Sequence, residues 1–198
     1  HLDEEDRHVI VMCGMSATFC ALFGTPLTAA VFTLEVISVG QIYYASLLPC
    51  LGSSLAAYGI SISLGAVPER FYGVKVADFN LPSVLRVALL GVLCALLSMV
   101  FCIVMKRSSK LIKSFIKNVY VRILAGSAAV ILLTLICGSQ KYNGTGMSLV
   151  ESAVMHGNAQ PWDFALKLLF TAISLGVGFR GGEIVPAFAV GATFGCVF

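Results

Sequence analysis

Long apolar runs separated by short polar stretches make up most of this chain. The runs cover residues 9–23, 27–39, 42–66, 83–105, 119–137, 164–177 and 187–198. A helix needs about 20 apolar residues to cross a bilayer, so 9–23 and 27–39 are short for complete spans. The pattern predicts an all-α, polytopic integral membrane protein with tilted and broken helices.

Small residues recur in the first and third of these runs. They are Gly14, Ser16, Ala17, Gly52, Ser53, Ser54 and Gly59. Small side chains let membrane helices approach one another closely. We therefore expect these two runs to pack tightly against neighbouring helices.

The polar stretches predict the orientation of the chain in the membrane. A run of bases with no acid between them follows residue 105: Lys106, Arg107, Lys110, Lys113, Lys117 and Arg122. Basic loops face the cytoplasm, so segment 138–163, with a short helix at 148–156, is expected outside. A patch that binds anionic lipid is an alternative function for the same bases.

Composition supports the membrane assignment. Hydrophobic residues make up 58% of the chain and charged residues 12%, whereas a soluble domain is about half apolar and a quarter charged. The net charge of +3 is too small to indicate a nucleic-acid partner. Seven cysteines lie mostly in apolar runs without a C-x-x-C pair, which predicts free thiols and neither disulfides, a metal site nor a cofactor.

One glycine-rich break carries the candidate chemistry. Residues 178–186 separate two apolar runs and contain a carboxylate, Glu183. Irregular backbone at membrane depth survives only inside protein or beside a water-filled cavity. Pro186 suits the first turn of a new helix, and the free amides of a helix start attract anions. The segment therefore predicts an anion site built from the backbone amides of residues 182–184.

Two segments resemble those of a known family. The sequence GFRGGEIVPAF at 178–188 resembles the Gly-x-Phe-x-Pro signature of CLC chloride channels and proton-coupled antiporters, and GTPLTAAVFTLEV at 24–36 resembles their linker between two helices. The resemblance implies a partial CLC fold and transport of chloride or fluoride. The ion pathway would include Gly181, Gly182, Glu183, Ile184, Val185 and Pro186.

The same resemblance implies partners and a location. Family members are homodimers, and the helices at 27–39 and 43–66 would line the interface. The protein would lie in the plasma or inner membrane of a cell. The family's serine loop, gating glutamate and late tyrosine have no match, so we expect residues 1–198 to be a single transmembrane domain fragment that lacks the N-terminal and C-terminal parts of the CLC domain.

Departures from the family pattern leave the transport mode open. Chloride-type members carry an aliphatic residue at the position of Glu183, whereas a base followed by Gly-Gly-Glu resembles the fluoride-exporting clade. That clade usually has threonine where this chain has Val185. Val36 occupies the position of the internal proton-transfer glutamate of chloride exchangers, so a channel and a proton-coupled fluoride exporter both remain possible.

Glu183 and Glu35 are the proton-coupling candidates. A carboxylate at the bilayer centre costs about 2.5 to 3.5 kcal/mol on insertion scales, so Glu183 should be protonated, wetted or paired. We weigh ion coupling against a structural salt bridge to Arg180, which could instead steer anions. Glu35 is expected to be structural rather than a relay.

Two other function classes are weaker. An intramembrane enzyme needs a nucleophile with a base or metal ligands, and the three histidines lie in polar segments. We therefore do not expect an enzyme. A non-transporting membrane scaffold or fragment is the remaining alternative.

Overall fold

The computed structural model describes residues 3–37, 43–68 and 80–198. The chain forms two compact units, His1–Arg70 and Phe71–Phe198. Residues 38, 39 and 42 of the predicted runs, and most of the predicted loop at 67–82, lie outside the described residues.

In its described residues, 3–37 and 43–68, the first unit contains three α-helices and a short 3-10 turn. They are α1 (Glu4–Phe23), α2 (Pro26–Ile37), the 3-10 turn Tyr44–Ser46 and α3 (Leu47–Ser63). Gly24 adopts a left-handed conformation, with φ of 66°, and its N–H bonds the Cys20 carbonyl at 2.8 Å. Pro26 then begins α2 without losing a donor. The predicted break at Gly24-Thr25-Pro26 is confirmed.

Serines hold α1 against α3. Ser16 Oγ donates to the Cys50 carbonyl at 3.1 Å, and Ser53 Oγ donates to the Cys13 carbonyl at 3.0 Å. Small residues do mediate the contact, as predicted, but the glycines contribute little. A Cβ at Gly14, Gly52 or Gly59 would meet no atom within 4 Å, so hydroxyl-to-backbone bonds rather than glycine contacts join these helices.

The second unit contains five helices within residues 80–198, the part of it that the structure describes. They are α4 (Leu81–Phe115), α5 (Val119–Cys137), α6 (Met147–His156), α7 (Asp163–Val177) and α8 (Ile184–Val197). Helix α7 packs against α4, α5 and α8, and α8 also packs against α4 and α6. The helical class and the broken helices predicted from the sequence are both observed.

Four helical segments in the described part of the chain are long and apolar enough to cross a membrane. They are Asp6–Phe23, Tyr44–Ser63, Leu81–Phe115 and Val119–Cys137. The apolar helices α2 and α8 are shorter, at 12 and 14 residues. Helix α4 continues through most of the basic run as one 35-residue helix, about 52 Å long at 1.5 Å per residue. The predicted end at residue 105 is therefore the end of its apolar part only.

Helices α5 and α7 run in opposite directions. Arg122, near the start of α5, donates from Nε to the carbonyl of Val177, the last residue of α7, at 2.9 Å. At the other end, Lys141 and Tyr142, which follow α5, bond Asp163 in the first turn of α7. These contacts therefore fix both ends of α7, including the end that the irregular segment follows.

Candidate functional site

The break between α7 and α8 has a defined start and end. Gly178 adopts φ of 108°, and its N–H bonds the Leu175 carbonyl at 3.1 Å. This left-handed conformation suits glycine, and it ends α7. Glu183 is the N-cap of α8, since its carbonyl accepts from the Ala187 N–H at 3.0 Å. The four residues between 178 and 183 belong to neither helix.

The first amides of α8 are available to a ligand. No hydrogen bond to the described residues engages the backbone N–H of Gly182, Glu183 or Ile184. Pro186, the third residue of α8, is buried and has no N–H to lose. The unbonded N–H groups of a helix start carry partial positive charge. In the described part of the chain, the amides of residues 182–184 therefore have free N–H groups, as an anion site at a helix start requires.

Glu183 and Arg180 are both exposed and do not pair. Within the described residues, the ion pairs are Arg7 with Glu4 and Lys141 with Asp163. The salt bridge that we weighed for Glu183 is thus not formed. Of the two residues, Arg180 lines a cavity and Glu183 does not.

A cavity of about 470 Å³ lies along α7. Loop residues Tyr142–Thr145 line it where α7 begins, and residues 179–182 line it at the break. Four predicted pathway residues border it: Gly181, Gly182, Val185 and Pro186. Glu183 and Ile184 of the predicted set are not among its lining residues.

A polar network at the start of α7 was missed by the sequence analysis. Asp163 is 3% exposed and accepts from Tyr142 Oη at 2.6 Å, from Lys141 Nζ at 2.9 Å and from the Gln160 N–H at 2.9 Å. One helical turn later, Lys167 is 1% exposed and donates from Nζ to the carbonyls of Tyr142 at 3.0 Å and Gly144 at 2.8 Å. The sequence does contain a signal for this network. Asp163 and Lys167 are charged residues four positions apart at the start of an otherwise apolar helix.

Burial and the neighbouring groups act in opposite directions on the pKa of Asp163 and in the same direction on that of Tyr142. Burial alone would raise the pKa of Asp163, but the hydrogen bonds from Tyr142, Lys141 and Gln160 and the Lys141 charge bring that pKa below its usual value. Burial, the hydrogen bond to Asp163 and the negative charge of that carboxylate raise the pKa of Tyr142. Asp163 is therefore the charged member of the pair and Tyr142 the neutral one.

Glu35 lies in the first unit. It is exposed in the last turn of α2, beside exposed Val36. Among the residues for which structure is described, no ion pair engages it. No cluster of three potential metal ligands occurs in the described ranges either.

These features define a polytopic membrane protein with discontinuous helices. The chain has helices of membrane length, and an irregular segment interrupts the pair α7 and α8. Within the described structure, the start of α8 has unbonded amides beside a cavity. Discontinuous helices form the substrate sites of many transporters. The voltage gated chloride channel family matches residues 1–198, the whole sequence. The chain belongs to this family, and its fold is part of the CLC fold.

Individual relatives agree with this family assignment. The chain is 36% identical over 201 residues to a chloride/fluoride channel protein of Pseudomonas syringae pv. tomato, covering 98% of this chain and 44% of that protein. It is 20% identical to an uncharacterized protein of Methanocaldococcus jannaschii, covering 98% of this chain and 49% of the relative. The crystal structure of a CLC-type fluoride/proton antiporter matches with a TM-score of 0.87 and 29% identity, covering 94% of this chain and 47% of that one. The chain thus spans about half the length of these relatives.

Proposed function

We propose that the protein to which this chain contributes transports chloride or fluoride across a membrane by the CLC mechanism. The observation that carries the proposal is the start of α8, where the amides of residues 182–184 lack acceptors in the described structure and Gly182 lines a cavity. N–H dipoles at a helix start replace part of the water shell of an anion. They do so without a full opposite charge, so that the ion can also leave.

Glu183 would couple anion binding to protonation. Its own amide is one of the three donors, so its carboxyl group lies close to any anion held there. A nearby negative charge favours the neutral form of a carboxyl group. An anion and a proton would therefore favour each other's binding at this site, which is the requirement for coupled transport.

Fluoride is the better supported of the two anions. The Gly181-Gly182-Glu183 sequence resembles the fluoride-exporting clade, and two of the similar proteins are described as a chloride/fluoride channel protein and a fluoride/proton antiporter. Val185, where that clade usually has threonine, leaves chloride as the second candidate. We place the protein in the plasma or inner membrane and expect no enzymatic activity.

The test is ion flux with the full-length protein in liposomes. We expect a fluoride gradient to move protons through the wild-type protein, and we expect Glu183→Gln to lower the number of protons moved per anion. Glu151→Gln, which alters an exposed acid on α6, is the matched control and should leave coupling unchanged. Unchanged coupling in the Glu183 variant would contradict the role given to this residue, and absence of fluoride and chloride flux in the wild type would contradict the proposed function.

A further inference from the structure

Lys167 is a buried ammonium group whose charge has no acidic partner in the described part of the chain. It is 1% exposed, and neither ion pair of the described residues includes it. The nearby carboxylate of Asp163 is already bonded by Lys141, Tyr142 and Gln160. Buried charges in proteins are normally paired because an unpaired one is expensive to remove from water.

The hydrogen bonds of Lys167 leave one donor unused. An ammonium group has three N–H donors, and two of them bond the carbonyls of Tyr142 and Gly144. Carbonyl oxygens supply partial negative charge but cannot neutralise the cation. As an ammonium group, Lys167 therefore has one donor left for another group.

The loop around Lys167 holds the ammonium group firmly in place. Gly146 adopts φ of 84°, and a Cβ at that position would lie 3.0 Å from Lys167 Nζ and 2.6 Å from its Cε. Only glycine fits so close to the lysine with this backbone conformation. The loop at residues 142–146 therefore packs closely against the end of the lysine side chain.

The cavity beside Lys167 is lined by a second base and no acid. Lys167 and Arg180 both border it, whereas Asp163 and Glu183 do not. Ten residues of α7 separate Lys167 from Val177, which corresponds to about 15 Å along the helix axis. The two bases therefore lie towards opposite ends of one elongated cavity.

We propose that Lys167 forms a second anion-binding site, at the end of the cavity away from the start of α8. A small inorganic anion, fluoride or chloride, accepts the third N–H of Lys167 and neutralises its charge. This inference rests on the proposed function and adds a position that the helix-start amides do not supply. Transport through several weak sites lets an ion enter and leave readily.

The experiment compares anion dependence in variants of the full-length protein. Lys167→Gln removes the charge but keeps an N–H donor for the loop carbonyls, and Lys167→Arg keeps the charge. We expect the half-saturating anion concentration for flux to rise about tenfold in the Gln variant, the change that follows from about 1.4 kcal/mol of lost binding. We expect the Arg variant to stay within about twofold of the wild type, since it retains the positive charge. Lys110→Gln, at an exposed lysine of α4, removes the same charge elsewhere and should have no effect.

The outcomes separate this inference from a purely structural role. If Lys167→Gln lowers maximal flux without changing the half-saturating concentration, the lysine only holds the loop and the inference is wrong. If the wild type transports and the Gln variant matches it in both quantities, the inference is also wrong while the proposed function stands. Failure of the wild type to transport either anion would overturn both.

A second measurement needs no variant. Crystals of the full-length wild-type protein grown in bromide should give an anomalous scattering peak within about 3.5 Å of Lys167 Nζ, the range of a hydrogen bond to a large halide. Absence of a peak at Lys167 would overturn the inference. The bromide experiment tests the inference even if the Lys167→Gln variant does not fold.

Discussion

At the scale of single residues, Asp163 connects three parts of the second unit. Its carboxylate joins the loop after α5, through Lys141 and Tyr142, to the segment before α7, through Gln160. Charge-assisted bonds to a buried carboxylate are stronger than bonds between neutral groups. The carboxylate therefore holds Tyr142, which lines the same cavity as Lys167.

The lowered pKa of Asp163 predicts how stability depends on pH. Because the folded-state pKa lies below the unfolded value of about 3.9, the stabilisation is fully present above that value and is lost as pH falls through the folded-state pKa. We expect the free energy of unfolding of the full-length protein to fall below about pH 4. Asp163→Asn should lower stability at neutral pH, and it should make the loss of stability in acid less steep.

The measurement for Asp163 is the unfolding temperature in detergent between neutral pH and pH 3. Glu151→Gln, at an exposed and unpaired position within the described structure, should keep the wild-type loss of stability in acid. If the unfolding temperature falls equally steeply with decreasing pH in Asp163→Asn and in the wild type, other carboxylates carry the effect.

At the scale of elements, α5 contacts α7 at the residue where α7 ends. Arg122 bonds the Val177 carbonyl, and the Val177 side chain packs against Gly126 on the same face of α5. The irregular segment begins at Gly178, the next residue in the chain. We infer that α5 positions the irregular segment, and through it the start of α8.

Enlarging Gly126 should disturb this junction. A Cβ at this position would overlap the Val177 side chain, so we expect Gly126→Ala to destabilise the protein by about 1 to 3 kcal/mol, as overpacking does. Gly91→Ala on α4 is the matched control, since a Cβ there meets no atom within 4 Å, and alanine is the better helix former. Equal unfolding temperatures for the two variants would contradict the close contact.

The elements themselves were largely predictable from apolar runs and breakers. The run at 119–137 coincides with α5, and the breaks at Gly24 and Gly178 are where glycine favours a left-handed backbone. The apolar run at 83–105 marks only part of α4, which continues as a helix to Phe115. Solvated basic residues are compatible with a continuous helix and with a loop. Hydropathy averaged over a window does not distinguish the two.

The candidate site was less predictable than the fold. The helix start at Ile184 follows from Pro186 and the glycines, whereas the burial of Lys167 depends on carbonyls more than 20 residues earlier in the chain. The separation of Glu183 from Arg180 is likewise a result of backbone direction within the break. Sequence spacing alone cannot supply such directions.

At the scale of the whole molecule, the predicted homodimer stays a prediction. Helix α3 exposes large apolar residues, including Leu48 at 79% and Ile60 at 60%, and exposed apolar surface in this unit can face either lipid or a second copy. We expect the full-length protein in mild detergent to have twice the mass of one chain, measured by light scattering with the detergent contribution subtracted. A single-chain mass in detergent and in bilayers would contradict the dimer.

The central claim is that the unbonded amides at the start of α8 hold the anion. The most direct measurement is the nuclear magnetic resonance signal of the Ile184 amide in the full-length protein, with carbonyl-labelled glutamate and ¹⁵N-labelled isoleucine. Glu183-Ile184 is the one Glu-Ile pair in this sequence, and Ile184→Val would identify its signal. We predict a saturable shift on adding fluoride or chloride that gluconate at equal ionic strength does not produce. An unmoved signal under conditions in which the protein transports the anion would contradict the claim.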